Sequence, residues 1–300
     1  MLSLARSFSF QASAAGTGTS YPRQLNLLIS FRRFYIARQR IINMGIKAAL
    51  IDLSGTMHVE DDPTPDAVEA LKRLRKTGIH IKFVTNTTKE SGETLYNRLT
   101  KMGFELEKAE IYSSLSATAN YVKTKNLNPF YLVSADARKD FPPETSDNYD
   151  AVVVGLAPNE FHYENMNKAF RILMDNKDSQ LVAVHQGKYY KRGDGLALGP
   201  GCFVKGLEYA ASVNAVLIGK PNRYFFESAI PEGVKAEECV MIGDDPNDDC
   251  KGSLAVGMKS ILVKTGKYLP HVVVDPPPTL LADNFAQAVQ WLEENQNAQV

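Results

Sequence analysis

An α/β fold built on a parallel sheet is what three features of the sequence predict. Short, wholly apolar runs of strand length recur along the chain, segments with helical spacing separate them, and a middle stretch repeats the alternation on its own. Ala48-Ala49-Leu50-Ile51 is apolar at every position, as a strand buried on both faces must be. Pro65 to Thr77 follows, with Ala67, Ala70, Leu71 and Leu74 at helical spacing and Gly78 placed to stop the helix. Ile79 to Val84 is the next strand. Much later, Val216-Leu217-Ile218, Val240-Met241-Ile242 and Ile261-Leu262-Val263 return to the strand pattern. Strands joined through helices pair in parallel, and the helices then cover the sheet. Between the two halves, Phe130–Val133, Ala151–Val154 and Leu181–Val184 read as further strands and Glu164–Leu173 as a helix, enough for a small inserted domain. The expected organisation is an extension at 1–43, a core from 44–113 and 206–300, and an inserted α/β domain at 114–205.

An apolar content of 44% with 23% charged residues excludes a wholly disordered chain. No stretch reaches the ~18 consecutive apolar residues of a spanning helix, so no membrane partner is expected. Cys202, Cys239 and Cys250 cannot all pair with one another and lack metal-ligand spacing; they read as free thiols. The net charge of zero hides an asymmetry. Residues 1–43 carry Arg6, Arg23, Arg32, Arg33, Arg38 and Arg40 with no Asp or Glu, which leaves the remainder mildly acidic. That body has no broad basic stretch, which argues against nucleic acid as the main partner. Arg-rich, Ser-rich and acid-free is the composition of an organellar transit peptide, and Arg33-Phe34-Tyr35 resembles a mitochondrial processing site. A mitochondrial location is one expectation; a cytoplasmic chain starting effectively at Met44 is the other.

The residues that could carry chemistry sit just after the strands, where an open parallel sheet binds its ligands. Asp52-Leu53-Ser54-Gly55-Thr56 places a carboxylate on a tight turn, and the same pattern also makes an ordinary turn. Thr85-Asn86-Thr87-Thr88 offers a hydroxyl and backbone amides that could hold phosphate oxygens or cap a helix. Gly219-Lys220-Pro221 supplies a lysine able to offset negative charge. Gly243-Asp244-Asp245-Pro246-Asn247-Asp248-Asp249 crowds four carboxylates after an apolar strand, an arrangement that needs a cation or lysine to compensate it. Hard oxygen ligands beside a phosphate site point to magnesium.

These four elements, in this order, resemble the signature of the haloacid-dehalogenase superfamily over residues 46–295. The resemblance implies a doubly wound, Rossmann-like core with an inserted α/β cap, a magnesium-dependent phosphohydrolase activity, a small phosphorylated substrate, and a homodimer formed through the cap. It makes Asp52 the nucleophile that forms an aspartyl-phosphate and also binds Mg2+. Thr85 becomes the hydroxyl that holds the phosphoryl group, with Asn86 beside it, and Lys220 the charge-balancing lysine. Asp244 becomes the metal-binding acid, Asp249 the later acid supporting metal or lysine, and Ser54 a metal ligand through its backbone carbonyl. Asp245 and Asp248 fall at variable positions. The cap segment His185–Arg192 is basic and aromatic, as an anionic substrate or a solvated loop would each allow.

One position departs from the family. Most of its phosphatases carry a second Asp two residues after the nucleophile, which protonates the leaving group and then activates water; here it is Ser54. Such acid–base help contributes ~10²–10⁴-fold, so ordinary monoesters are expected to turn over slowly. Substrates with good leaving groups, pyrophosphate and phosphoramidates, lose less. His58 is a candidate replacement for the missing acid. The competing reading is a catalytically weak protein that binds metal and phosphate and uses its cap for recognition.

Overall fold

The computed structural model describes residues 45–192, 195–271 and 273–297; the expectations for residues 1–43 lie outside them. The apolar run at the start becomes β1 (Ala48–Ile51), followed by a small hairpin of β2 (His58–Val59) and β3 (Asp62–Pro63). Helix α1 (Ala67–Lys76) buries the four residues its spacing singled out. Then come β4 (His80–Thr85), α2 (Gly92–Lys101), β5 (Ile111–Ser113) and α3 (Ser114–Thr124). The middle contributes β6 (Pro129–Leu132), β7 (Ala151–Val154), α4 (Tyr163–Asp175), β8 (Gln180–Ala183), β9 (Tyr189–Arg192) and β10 (Gly195–Leu198). After α5 (Gly201–Ala211) the chain runs through β11 (Val216–Leu217), α6 (Arg223–Ala229), β12 (Cys239–Gly243), α7 (Gly252–Ala255), β13 (Lys259–Val263), β14 (Leu280–Ala282) and α8 (Phe285–Asn297).

A six-stranded sheet in the order β14-β13-β12-β1-β4-β5 is parallel throughout. Its central strand is apolar at every position because both faces are covered. Ala49 and Ile51 join one hydrophobic cluster, with α1 and α8, while Ala48 and Leu50 join another. A second parallel sheet, β11-β8-β7-β6, lies within that other cluster: Tyr131, Val153 and Val182 pack in one continuous core with Leu50, Val84 and Met241. Its remaining apolar side chains pack on α4 and α5. The run Tyr189–Arg192, open between loop and ligand contact in the sequence, forms an antiparallel pair with β10. All three cysteines are unpaired. No helix among the described residues is long and apolar enough to cross a membrane.

Candidate active site

Five strand ends build one site. β1 hands over Asp52, β4 ends in Thr85 and leads to Asn86, β12 leads to Asp244, and β11 of the second sheet leads to Lys220. β13 adds the loop Thr265-Gly266-Lys267, which the sequence reading missed. Asp249 arrives on the π-helical turn Pro246–Lys251, whose start is capped by Asp245 through the Asn247 and Asp248 backbone N–H groups. Two of the four crowded carboxylates are thereby separated in role: Asp245 caps the turn, while Asp249 points back into the site.

At the centre, Lys220 Nζ donates to Asp52 Oδ1 at 2.6 Å, to Asp249 Oδ1 at 2.7 Å and to the Val84 carbonyl at 3.2 Å. Asp52, Asp244 and Asp249 each present an oxygen within 4.8 Å of the others. All three are buried, as is Lys220. Burial pulls the Lys220 ammonium down, but Asp249 and Asp52 together outweigh it, and its pKa lies above the ordinary lysine range. Burial pushes the Asp249 carboxyl up, Lys220 opposes and Asp52 adds, leaving it at about 7. Asp244 is raised well above its ordinary value by burial and by the neighbouring Asp52 and Asp249 charges. One ammonium does not balance three buried carboxylates. A hard divalent cation fits this donor set, held by Asp52, Asp244 and Asp249.

A pH dependence of stability follows for the metal-free protein. A carboxyl whose pKa is raised on folding binds more protons in the folded state, so stability falls as pH rises between the ordinary 3.8 and the folded value. Asp249, at about 7, and Asp248, which burial raises to about 6, act in that window together with Asp244. In chelator, the melting temperature should therefore drop between pH 5 and 8 by a few degrees (~2–4 °C for each kcal/mol lost). Added Mg2+ should restore it at the upper end. A thermal scan with and without Mg2+ checks both.

The tight turn after β1 is enforced by contact. Gly55 has φ +94°, a left-handed conformation, and a side chain there would collide with the Asp244 carboxylate, whose Cγ would lie 2.6 Å from its Cβ. Gly266 is pressed against the same carboxylate and against Gly55 Cα. The Thr265 hydroxyl donates to the Gly55 carbonyl at 2.5 Å and the Lys267 backbone N–H to Asp244 Oδ2 at 2.6 Å. The signal for this loop was in the sequence: like the other site segments, it follows directly on an apolar strand.

Thr85 is buried, with its hydroxyl 2.9 Å from that of Thr87. Asn86 does something the sequence did not reveal. Its Nδ2 donates to the Lys220 carbonyl and its Oδ1 accepts from the Lys220 N–H, both at 3.0 Å, so its amide clamps the lysine's backbone. Ser54 is exposed, with its backbone bridged to His58. His58 is buried; its Nδ1 meets the Glu60 carbonyl at 2.8 Å, and Nε2 has no hydrogen-bond partner. The second sheet holds the loop after β4 from several sides. The Thr88 hydroxyl meets His185 Nε2 and the Leu156 N–H; Ser134 donates to the Lys89 carbonyl; Asp136 and Asp140 accept from the backbone of Ser91 and Gly92. Burial, aided by Lys267, drives His185 down to about 4, so it is neutral.

Residues 49–141 match the family model of haloacid dehalogenase-like hydrolases, and residues 217–288 match a second model of the same kind. The chain belongs to this hydrolase family. Haloacid dehalogenase-like hydrolase domain-containing protein 2 of Mus musculus is 49% identical over 251 residues, which is 83% of this chain and 96% of the mouse protein. Phospholysine phosphohistidine inorganic pyrophosphate phosphatase of Bos taurus is 35% identical over 255 residues, 83% of this chain and 94% of its own length. Among solved structures, the p-nitrophenyl phosphatase from Archaeoglobus fulgidus superposes with a TM-score of 0.76 at 24% identity, covering 82% of this chain and 99% of that one, and shares the fold.

Proposed function

We propose that the protein is a magnesium-dependent phosphohydrolase working through an aspartyl-phosphate on Asp52. The observation that carries this reading is Asp52 itself: a buried carboxylate at a strand end, paired with Lys220 and within metal-sharing distance of Asp244 and Asp249. One Asp52 oxygen attacks the substrate phosphorus, and the bond to the leaving group breaks with its electron pair departing on that group. Water then attacks the aspartyl-phosphate, releasing inorganic phosphate and restoring the carboxylate. Lys220 offsets charge around the nucleophile, and the Thr85 hydroxyl and loop amides hold phosphoryl oxygens. A bound Mg2+, held by Asp52, Asp244, Asp249 and the Ser54 carbonyl, supplies charge neutralisation for the transferring group. The second sheet, built mainly from 114–205 and extended by α5 and β11, serves as the cap; its contacts with the Thr88–Gly92 loop support that role.

Ser54 offers no proton to a leaving group at neutral pH, so the substrates of choice are those that depart without one. Pyrophosphate meets this condition because its leaving phosphate is stable as an anion, and a phosphoramidate approaches it because its basic nitrogen takes its proton from water before the bond breaks, in keeping with the substrates in the name of the bovine relative. Assays with pyrophosphate, phosphohistidine and an alkyl phosphate in Mg2+ test the preference, and equal turnover of the alkyl phosphate contradicts it. Ser54→Asp should raise alkyl phosphate hydrolysis by about 10²-fold by returning an acid to that position. If the unaltered chain is inert on every substrate and Ser54→Asp restores activity, the protein is a metal- and phosphate-binding relative instead.

A further inference from the structure

Lys220 cannot serve the leaving group. An ammonium has three N–H donors, and those of Lys220 go to Asp52, Asp249 and the Val84 carbonyl, all out of solvent. Another cation stands at the rim. The Lys267 backbone is fixed to Asp244, between Gly266, which has no room for a side chain, and the start of the next loop turn. Its side chain is 64% exposed and its Nζ has one carboxylate partner, Asp245 at 3.1 Å. Its backbone N–H is bonded to one acid of the buried cluster, while its ammonium lies on Asp245 and reaches solvent. It therefore stands at the solvent edge of the acidic pocket, where a substrate would extend out of it.

We propose that Lys267 binds an anionic leaving group and makes the site selective for phosphoanhydrides. The proposal rests on the phosphoryl-transfer reading above. When Asp52 attacks the inner phosphorus of pyrophosphate, the bridging P–O bond breaks and its electron pair stays on the outer phosphate. With serine at position 54 no proton meets that charge, and the Lys267 ammonium offsets it instead. Before transfer, the same contact holds the outer phosphate, which orthophosphate and simple esters lack.

The test is calorimetric binding to the full chain in Mg2+, with methylenediphosphonate as the uncleavable diphosphate and orthophosphate as the single-phosphate control. Lys267→Met should weaken diphosphonate binding by about 10-fold or more, the range of a charge-assisted hydrogen bond, and change orthophosphate binding by less than about 3-fold. Lys267→Arg should keep most of the selectivity. An equal loss for both ligands overturns the proposal and assigns Lys267 to the general field of the site. No loss for either makes it a surface ion pair and also overturns it, as does a wild-type chain that binds diphosphonate no tighter than orthophosphate. Binding is read without turnover, so an Asp52 that never becomes phosphorylated sinks the reaction scheme separately from this contact.

Discussion

Replacing Asp52 with Asn should abolish turnover while leaving the protein folded. The loss should be on the order of 10⁴-fold or more in kcat, as for other removed nucleophiles, because an amide does not attack phosphorus. The fold should tolerate the change, since the asparagine oxygen can still accept from Lys220 and Asp249 still pairs with that lysine. Removing the Asp52 charge also relieves Asp244 and Asp249, whose pKa values it helps to raise. A melting temperature equal to or above that of the unaltered protein, with steady-state kinetics at background, checks both halves.

Lys220→Met should have the opposite signature, losing stability as well as activity. Without the ammonium, Asp52, Asp244 and Asp249 remain as three buried carboxylates with no cation among them. Breaking a buried ion pair from one side costs about 3–5 kcal/mol. That penalty should shrink at low pH, where the carboxyls protonate, and in Mg2+, where a cation replaces the lost charge. Urea titrations at pH 5.5 and 8, with and without Mg2+, measure it. A loss independent of pH and metal would assign Lys220 to packing. Asn86, which grips the lysine backbone at two points, belongs to the same unit.

The parts of this site that the sequence disclosed are those fixed by local chemistry. β1 and β12 were legible because strands buried on both faces must be apolar throughout, and such runs end where ligands bind. That made Asp52, Thr85, Lys220 and Asp244 visible as neighbours on four strands far apart in the chain. What stayed hidden depends on tertiary contact. Nothing local distinguishes Asp245, Asp248 and Asp249 from one another; the fold places Asp249 on Lys220 while Asp245 caps a turn. The grip of Asn86 on Lys220 is not legible, because its place beside Thr85 says nothing of a partner 134 residues away. The Tyr189–Arg192 run reads equally as a solvated loop or a substrate contact, and its pairing is not legible because its partner strand, β10, is glycine-led and short. The loop at Lys267 carries no motif around its single lysine, and its position after β13 is the one local signal it shares with the other site segments.

Trapping the covalent intermediate tests the central claim most directly. With no acid at Ser54 to speed hydrolysis, phosphoryl groups should accumulate on the enzyme during turnover. Acid-quenched protein, digested and analysed by mass spectrometry, should carry one phosphoryl group on the Asp52 peptide, and borohydride should convert that residue to homoserine. The label should be absent from Asp52→Asn and without Mg2+. Product formed at the full rate with no phosphoryl group on the protein, or a group on any other residue, would contradict the account.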